Sequence, residues 1–140
     1  MATERITVKA TIDAPINTVW KAWTSPEHIM LWNTASEDWH TTRAENDLRA
    51  GGHFLSRMEA KDGSFGFDFE GDYIEVLTNE LISYTLADGR KVSVNFTGSR
   101  NEVRVTVVFE AENTNPLEMQ REGWQAILDS FKKYTERLEN

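Results

Sequence analysis

Few side chains in this sequence are of the kinds that make or break bonds, and those few are scattered. There is no cysteine, which excludes thiolate chemistry and disulfides. Neither G-x-S-x-G nor H-E-x-x-H occurs, so the common serine-nucleophile and zinc-hydrolase signatures are missing. The three histidines, His28, His40 and His53, fall on different elements. Glu37-Asp38-x-His40 has metal-ligand residue types, but nothing supplies the remaining ligands at a useful spacing. It reads as the solvated start of a strand. Arg49-Ala50-Gly51-Gly52 is followed by a strand, whereas a phosphate cradle needs a helix; its glycines suit a turn or bulge. His53, Arg57 and Asp68 are the best polar candidates for catalysis. By alternation His53 and Arg57 fall opposite Phe54 and Met58, and Asp68 falls opposite Phe67 and Phe69. That places all three outside any pocket. No catalytic residue, metal ligand or cofactor is therefore assigned.

What the sequence offers instead is aromatic and apolar surface at strand and helix spacing. Phe54, Ser56 and Met58 alternate along one stretch, Phe67, Phe69 and Tyr73 along the next, and Phe96 ends a third. Trp124 and Phe131 stand seven residues apart near the C-terminus, with Gln120 one turn before Trp124. Together with Trp32 these are the candidate lining of a binding cavity for a small, mainly apolar or aromatic molecule. The rival is a solid core. Gln120, Ser56 and the Tyr73 hydroxyl either orient a ligand or sit where the apolar stripe frays into solvent. Trp32 either guards an opening or staples a short helix.

The elements that would position these groups are legible from period. Residues 115–138 form one long amphipathic helix: Leu117, Trp124, Phe131 and Leu138 recur every seven residues, with Ile127, Leu128 and Tyr134 widening the stripe. Asn115 suits the N-cap, Pro116 the first helical position and Glu118 a capping box. Gly123 inside this helix costs roughly 1 kcal/mol relative to alanine, which calls for close approach of the sheet or room for a ligand. The stripe also has coiled-coil period, but three heptads of bulky Trp, Phe and Tyr suit a sheet better than a two-stranded seam. Earlier, residues 4–12 alternate as a half-buried strand. Ile16, Val19, Trp20 and Trp23 mark a short helix headed by Pro15, and Ser25-Pro26 starts a second through Trp32. Strands then follow at 36–43, 52–60, 65–76, 81–86, 92–96 and 103–109. Residues 45–52 read as a polar loop, and turns are expected at 61–63, 88–89 and 98–101. The parity change after Tyr73 suggests a bulge near Gly71. Short turns mean antiparallel neighbours. The expected class is α+β: a sheet of six to seven antiparallel strands, two short helices after the first strand, and one long C-terminal helix as cover. A single helix cannot cover such a sheet completely, so unfilled space is expected.

The totals narrow the partners. A chain of 140 residues suits one domain, spanning 1–140, with a sizeable core. No run of about 18 apolar residues and no signal-peptide core is present, so a cytoplasmic location is expected. Acidic residues number 23 against 15 basic, a formal charge of −8, with no Lys/Arg run. That disfavours nucleic acid and anionic membrane as partners.

T-I-D-A-P-I-N-T-V-W-K-A-W-T-S-P-E-H, Trp32, D-L-R-A-G-G-H-F (47–54), G-D-Y-I-E-V (71–76) and G-W-Q-A-I-L (123–128) occur in this order. The ordered set resembles the family of activator of heat-shock protein 90 ATPase homologues, in the START-like, birch-pollen-allergen-like (SRPBCC) superfamily of polyketide cyclases and lipid-transfer proteins. The resemblance implies a helix-grip fold, with a curved sheet wrapped around the long helix and a ligand cavity between them. It also implies two alternatives to ligand binding, a cyclase- or hydrolase-like enzyme and a chaperone accessory. Eukaryotic members carry a separate N-terminal domain that makes much of the chaperone contact. This chain begins its first strand close to Met1, so it is expected not to stimulate the chaperone by itself.

Overall fold

The computed structural model describes residues 4–34, 36–98 and 101–138. Seven strands form one antiparallel sheet: β1 (Arg5–Ile12), β2 (Trp39–Asn46), β3 (His53–Ala60), β4 (Gly66–Leu77), β5 (Leu81–Leu86), β6 (Lys91–Gly98) and β7 (Val103–Glu110). Their order across the sheet is β1-β7-β6-β5-β4-β3-β2. β2 to β7 thus form a meander of sequence neighbours, and β1 closes the far edge by pairing with β7. Two short helices, α1 (Ile16–Thr24) and α2 (Pro26–Trp32), follow β1, and α3 (Leu117–Leu138) follows β7. The sheet curls into a half-barrel around α3, the helix-grip arrangement that the family resemblance implied.

Two bulges help the sheet to curl. The β2–β3 register shifts between Thr41 and Arg43, and the β4–β5 register shifts between Tyr73 and Glu75. An extra residue in one strand bends it and raises the local twist. The second bulge is the one expected near Gly71 from the parity change, and it lies just beyond Tyr73. It turns Ile74 outward and returns Val76 to the core side.

Geometry corrects several expectations. β2 begins at Trp39, because residues 36–38 form a turn held by the Thr34 hydroxyl, which donates to the carbonyls of Ser36 and Trp39. It runs on through Asn46, so the polar loop shortens to 47–52. Phe65 precedes β4 and is exposed. Of the expected turn at 98–101, Gly98 ends β6, and residues 99 and 100 lie outside the described residues. Asn115 does not cap α3. The Glu112 carboxylate accepts from the backbone N–H groups of Thr114 and Asn115 and from the Asn115 side-chain amide, which holds that amide in the loop. The first helical bond runs instead from the Gln120 N–H to the Pro116 carbonyl at 3.2 Å. Glu118 pairs with Arg121 in place of a capping box.

The apolar stripe of α3 is buried only in its middle. Leu128 and Phe131 are buried, whereas Leu117 and Leu138 remain 45% and 42% exposed at the two ends. The helix lies against β1 and touches both short helices. Seven strands at a spacing of about 4.8 Å span roughly 29 Å, while a helix with its side chains is about 10–12 Å across. One helix seated beside β1 therefore leaves the other side of the sheet without direct helical cover. A β-carbon added at Gly123 would meet nothing within 4 Å, so close approach of the sheet does not explain that glycine.

Candidate functional site

A cavity of about 470 Å³ occupies that uncovered space. Its floor is the concave face of β3, β4 and β5. Its roof is Trp124, Ile127 and Leu128 of α3, and Trp23, Ile29 and Trp32 close one side. Alternation along the strands sets the floor: Phe54, Ser56 and Met58 point inward from β3, and register puts Ser56 opposite Phe69 and Met58 opposite Phe67. Phe54 is the hub, with ring centroids 4.8 Å from Tyr84, 5.3 Å from Tyr73 and 5.9 Å from Phe69. Gly71 makes room for it. A β-carbon there would sit 2.5 Å from the Thr85 carbonyl and 3.0 Å from the Phe54 ring, so any side chain would displace the hub. Across the space Trp124 stacks on Phe109 at 4.0 Å and meets the edge of Phe69 at 6.1 Å.

The cavity reaches solvent beside Ser36, Glu45 and Phe67, its exposed lining residues. Trp39 packs there against Phe67 at 5.9 Å and against Phe65 at 6.0 Å. The opposite end is plugged by rings. Trp23 lies 4.9 Å from Trp32 and 4.8 Å from Phe131, and Phe96 packs against Trp20 and Trp23. The Trp32 indole N–H donates to the Ala22 carbonyl at 2.7 Å, so this ring is fixed rather than swinging.

Of the eleven residues singled out in the sequence, eight border the cavity: Trp32, Phe54, Ser56, Met58, Phe67, Phe69, Tyr73 and Trp124. Three do not. Phe96 and Phe131 belong to the aromatic plug. Gln120 is turned into the loop before α3, where its amide donates to the carbonyls of Glu112 and Asn115 and its oxygen accepts from the Glu112 N–H. Its polar end is consumed in fastening that loop. Among lining residues not singled out, Tyr84 was legible: Ile82, Tyr84 and Leu86 alternate, and all three are buried. Trp39 and Arg90 had no such signal, because both come from ends of strands and turns whose direction depends on the curl.

The polar groups at the site are few. Tyr73 donates its hydroxyl to the Asn46 side-chain oxygen, and the Asn46 amide donates to the Thr24 carbonyl at 2.6 Å. This chain of bonds ties β4 and β2 to the end of α1. Burial pushes the phenols of Tyr73 and Tyr84 above the ordinary tyrosine value, so both stay protonated and act as donors, not bases. His53, Arg57 and Asp68 lie on the outer face. His53 bonds Asp72 at 2.8 Å and Glu70 at 2.9 Å, and Arg57 bonds Glu59 and Asp68. Among the described residues no three His, Cys, Asp or Glu side chains converge to hold a metal ion. No helix among the described residues is long and apolar enough to cross a membrane.

The fold and its cavity can be set beside known proteins. The family model described as "Activator of Hsp90 ATPase homolog 1-like protein" matches residues 13–136. The chain belongs to this family. Solved structures agree. An AHSA1-like protein from Aeromonas hydrophila, solved by NMR, is 43% identical, with 96% of this chain and 94% of that one covered and a TM-score of 0.90. A protein from Cytophaga hutchinsonii is 53% identical, with 96% and 93% covered and a TM-score of 0.82. A Nitrosomonas europaea protein shares the fold at 19% identity, with 96% of each chain covered and a TM-score of 0.83. No curated protein matches the chain. Membership in the activator-homologue family places it in the START-like superfamily, and so agrees with the resemblance drawn from the ordered motifs.

Proposed function

We propose that this family member binds a small, mainly apolar molecule in the cavity between α3 and strands β3 to β5. The observation that supports this reading most is a space of about 470 Å³ framed by Phe54, Phe69, Tyr73, Tyr84 and Trp124 and open at one end. Its volume falls in the range of small-molecule sites, and its lining has their composition, mostly rings with a few convergent polar groups. At ordinary packing density the space suits a molecule on the order of 15 non-hydrogen atoms. No observation favours catalysis. The inward phenols are held protonated, and the one histidine beside carboxylates, His53, faces away from the cavity. We also propose that the chain alone does not stimulate a chaperone ATPase, and that nucleic acid and membrane surfaces are not its partners.

The test is a thermal-shift screen of planar aromatic and acyl compounds, followed by tryptophan fluorescence, since Trp23, Trp32, Trp39 and Trp124 all border the space. A compound that binds only the folded state raises the melting temperature. A broad library that moves neither signal overturns the proposal.

A further inference from the structure

The inner polar groups of the cavity differ in what they already hold. Tyr73 is spent on Asn46, and Asn46 on Thr24. Arg90 borders the cavity, but its guanidinium donates to Asp88 at 2.8 Å and to the Glu110 carbonyl at 3.3 Å. Tyr84 is different. It comes from the middle of β5, is only 8% exposed, and lies between Phe54, at 4.8 Å, and Tyr73, at 6.3 Å. Its hydroxyl has no hydrogen-bond partner among the described residues. That hydroxyl is not sealed off: Tyr84 lines the cavity, where water can satisfy it, and an occupant that displaces the water without offering an acceptor leaves the donor unpaired at a cost in affinity.

Resting on the binding reading above, we infer that the ligand carries one neutral oxygen acceptor, of carbonyl type, on an otherwise apolar body, and that Tyr84 donates its hydroxyl to it. The acceptor is neutral because the surroundings are apolar rings and the cation that borders them is already paired with Asp88. An ionised carboxylate moved into this site would lose its hydration without gaining a free counter-charge. A neutral carbonyl loses less and supplies the acceptor Tyr84 lacks. Binding then carries a preference that the apolar walls alone do not have. A site built to hydrogen-bond one oxygen discriminates against an isostere that lacks it, because its own donor is otherwise left unpaired. Ser56 with its hydroxyl and Asn33 with its side-chain amide also border the cavity and make no side-chain hydrogen bond among the described residues, so they are the competing donors, and a ketone advantage that survives Tyr84→Phe would point to them.

Three probes of the same shape make the test: naphthyl methyl ketone, isopropenylnaphthalene, which replaces the oxygen by a methylene, and naphthoate. Dissociation constants are measured by calorimetry for the native protein and for Tyr84→Phe and Ser56→Ala. The ketone is expected to bind about fivefold to tenfold more tightly than the isopropenyl compound, as one neutral hydrogen bond in a dry site allows. Naphthoate is expected to bind more weakly than the ketone. Tyr84→Phe should abolish the advantage of the ketone while leaving the isopropenyl compound unchanged, and its melting temperature should stay close to the native value, which shows that it folds. Ser56→Ala should retain the advantage. Equal binding of ketone and isostere, an advantage that survives Tyr84→Phe, one lost in Ser56→Ala, or tightest binding of naphthoate would each overturn the assignment while leaving the cavity reading intact. Failure of all three probes to bind native protein, with no other apolar compound binding either, would overturn both.

Discussion

The interior of this protein has two halves built from the same alternating pattern. Beneath α3, the inward residues of β1, β7 and β6 are Val8, Ile12, Val94, Val103 and Val105, which pack to nearly zero exposure around Phe109 and Phe131. Across β3, β4 and β5 the inward residues are Phe54, Met58, Phe69, Tyr73 and Tyr84, and these frame a cavity. Both halves are apolar; they differ in what lies opposite. Branched aliphatics stand close to a helix that fills the groove, whereas flat rings face a gap that the same helix roofs but does not fill. Hydrophobic alternation thus selects the inward face, and the lateral seat of α3 decides whether that face becomes core or lining.

Truncation should break the symmetry of the halves most strongly. Phe131→Ala, in the packed half, is expected to lose about 3–5 kcal/mol of stability. Phe69→Ala, half-buried at the edge of the existing space, should lose only about 1–2 kcal/mol. Urea unfolding of both variants checks this, and equal losses would mean that the two halves are equally packed. Enlargement should sharpen the contrast from the other side. Ala22→Leu, where α1 has no room, is expected to destabilise by about 1–3 kcal/mol. Ser56→Ile adds volume to the cavity side and should change stability by less than about 1 kcal/mol while weakening any ligand bound there.

A smaller effect is expected at Gly123. Because an added β-carbon meets nothing within 4 Å, Gly123→Ala should stabilise α3 by up to about 1 kcal/mol, read as a rise in melting temperature. A loss would mean that the position is crowded after all. The smallest concerns neither half but the outer face. Hydrogen bonds donated by its ring to Asp72 and then to Glu70 raise the pKa of His53. A raised folded-state value contributes stability that is fully present below the unfolded value of about 6.5 and lost as pH rises through the folded value. His53 is well exposed, so screening keeps the contribution small. The melting temperature of the native protein should exceed that of His53→Gln near pH 5.5, by a margin that disappears near pH 8.5. A margin that grows with pH would reverse the assigned sign.

Much of the fold was legible because its elements are strongly periodic. The alternation of Phe54, Ser56 and Met58, and of Val103, Val105 and Val107, names both the strands and their inward faces. The candidate site was less legible, for a non-local reason. Phe131 and Trp124 occupy equivalent positions of one stripe seven residues apart, yet one is sealed in the plug and the other roofs the cavity, because α1 and α2 reach only the former. Gln120 reads as an inward polar group and is buried, but the Glu112 loop claims its amide. Asn115 reads as a cap, but the Glu112 carboxylate claims it. Such competition between partners is set by the folded geometry and leaves no mark on the local pattern.

If the cavity half admits a small apolar molecule and the packed half does not, methyl NMR during titration with naphthyl methyl ketone will separate them. Saturable shifts and ligand contacts are expected at Met58, Ile82, Ile127 and Leu128, with Val8, Ile12, Val103 and Val105 unmoved. Unchanged spectra across the titration, or shifts confined to the packed half or the outer face, would contradict that reading.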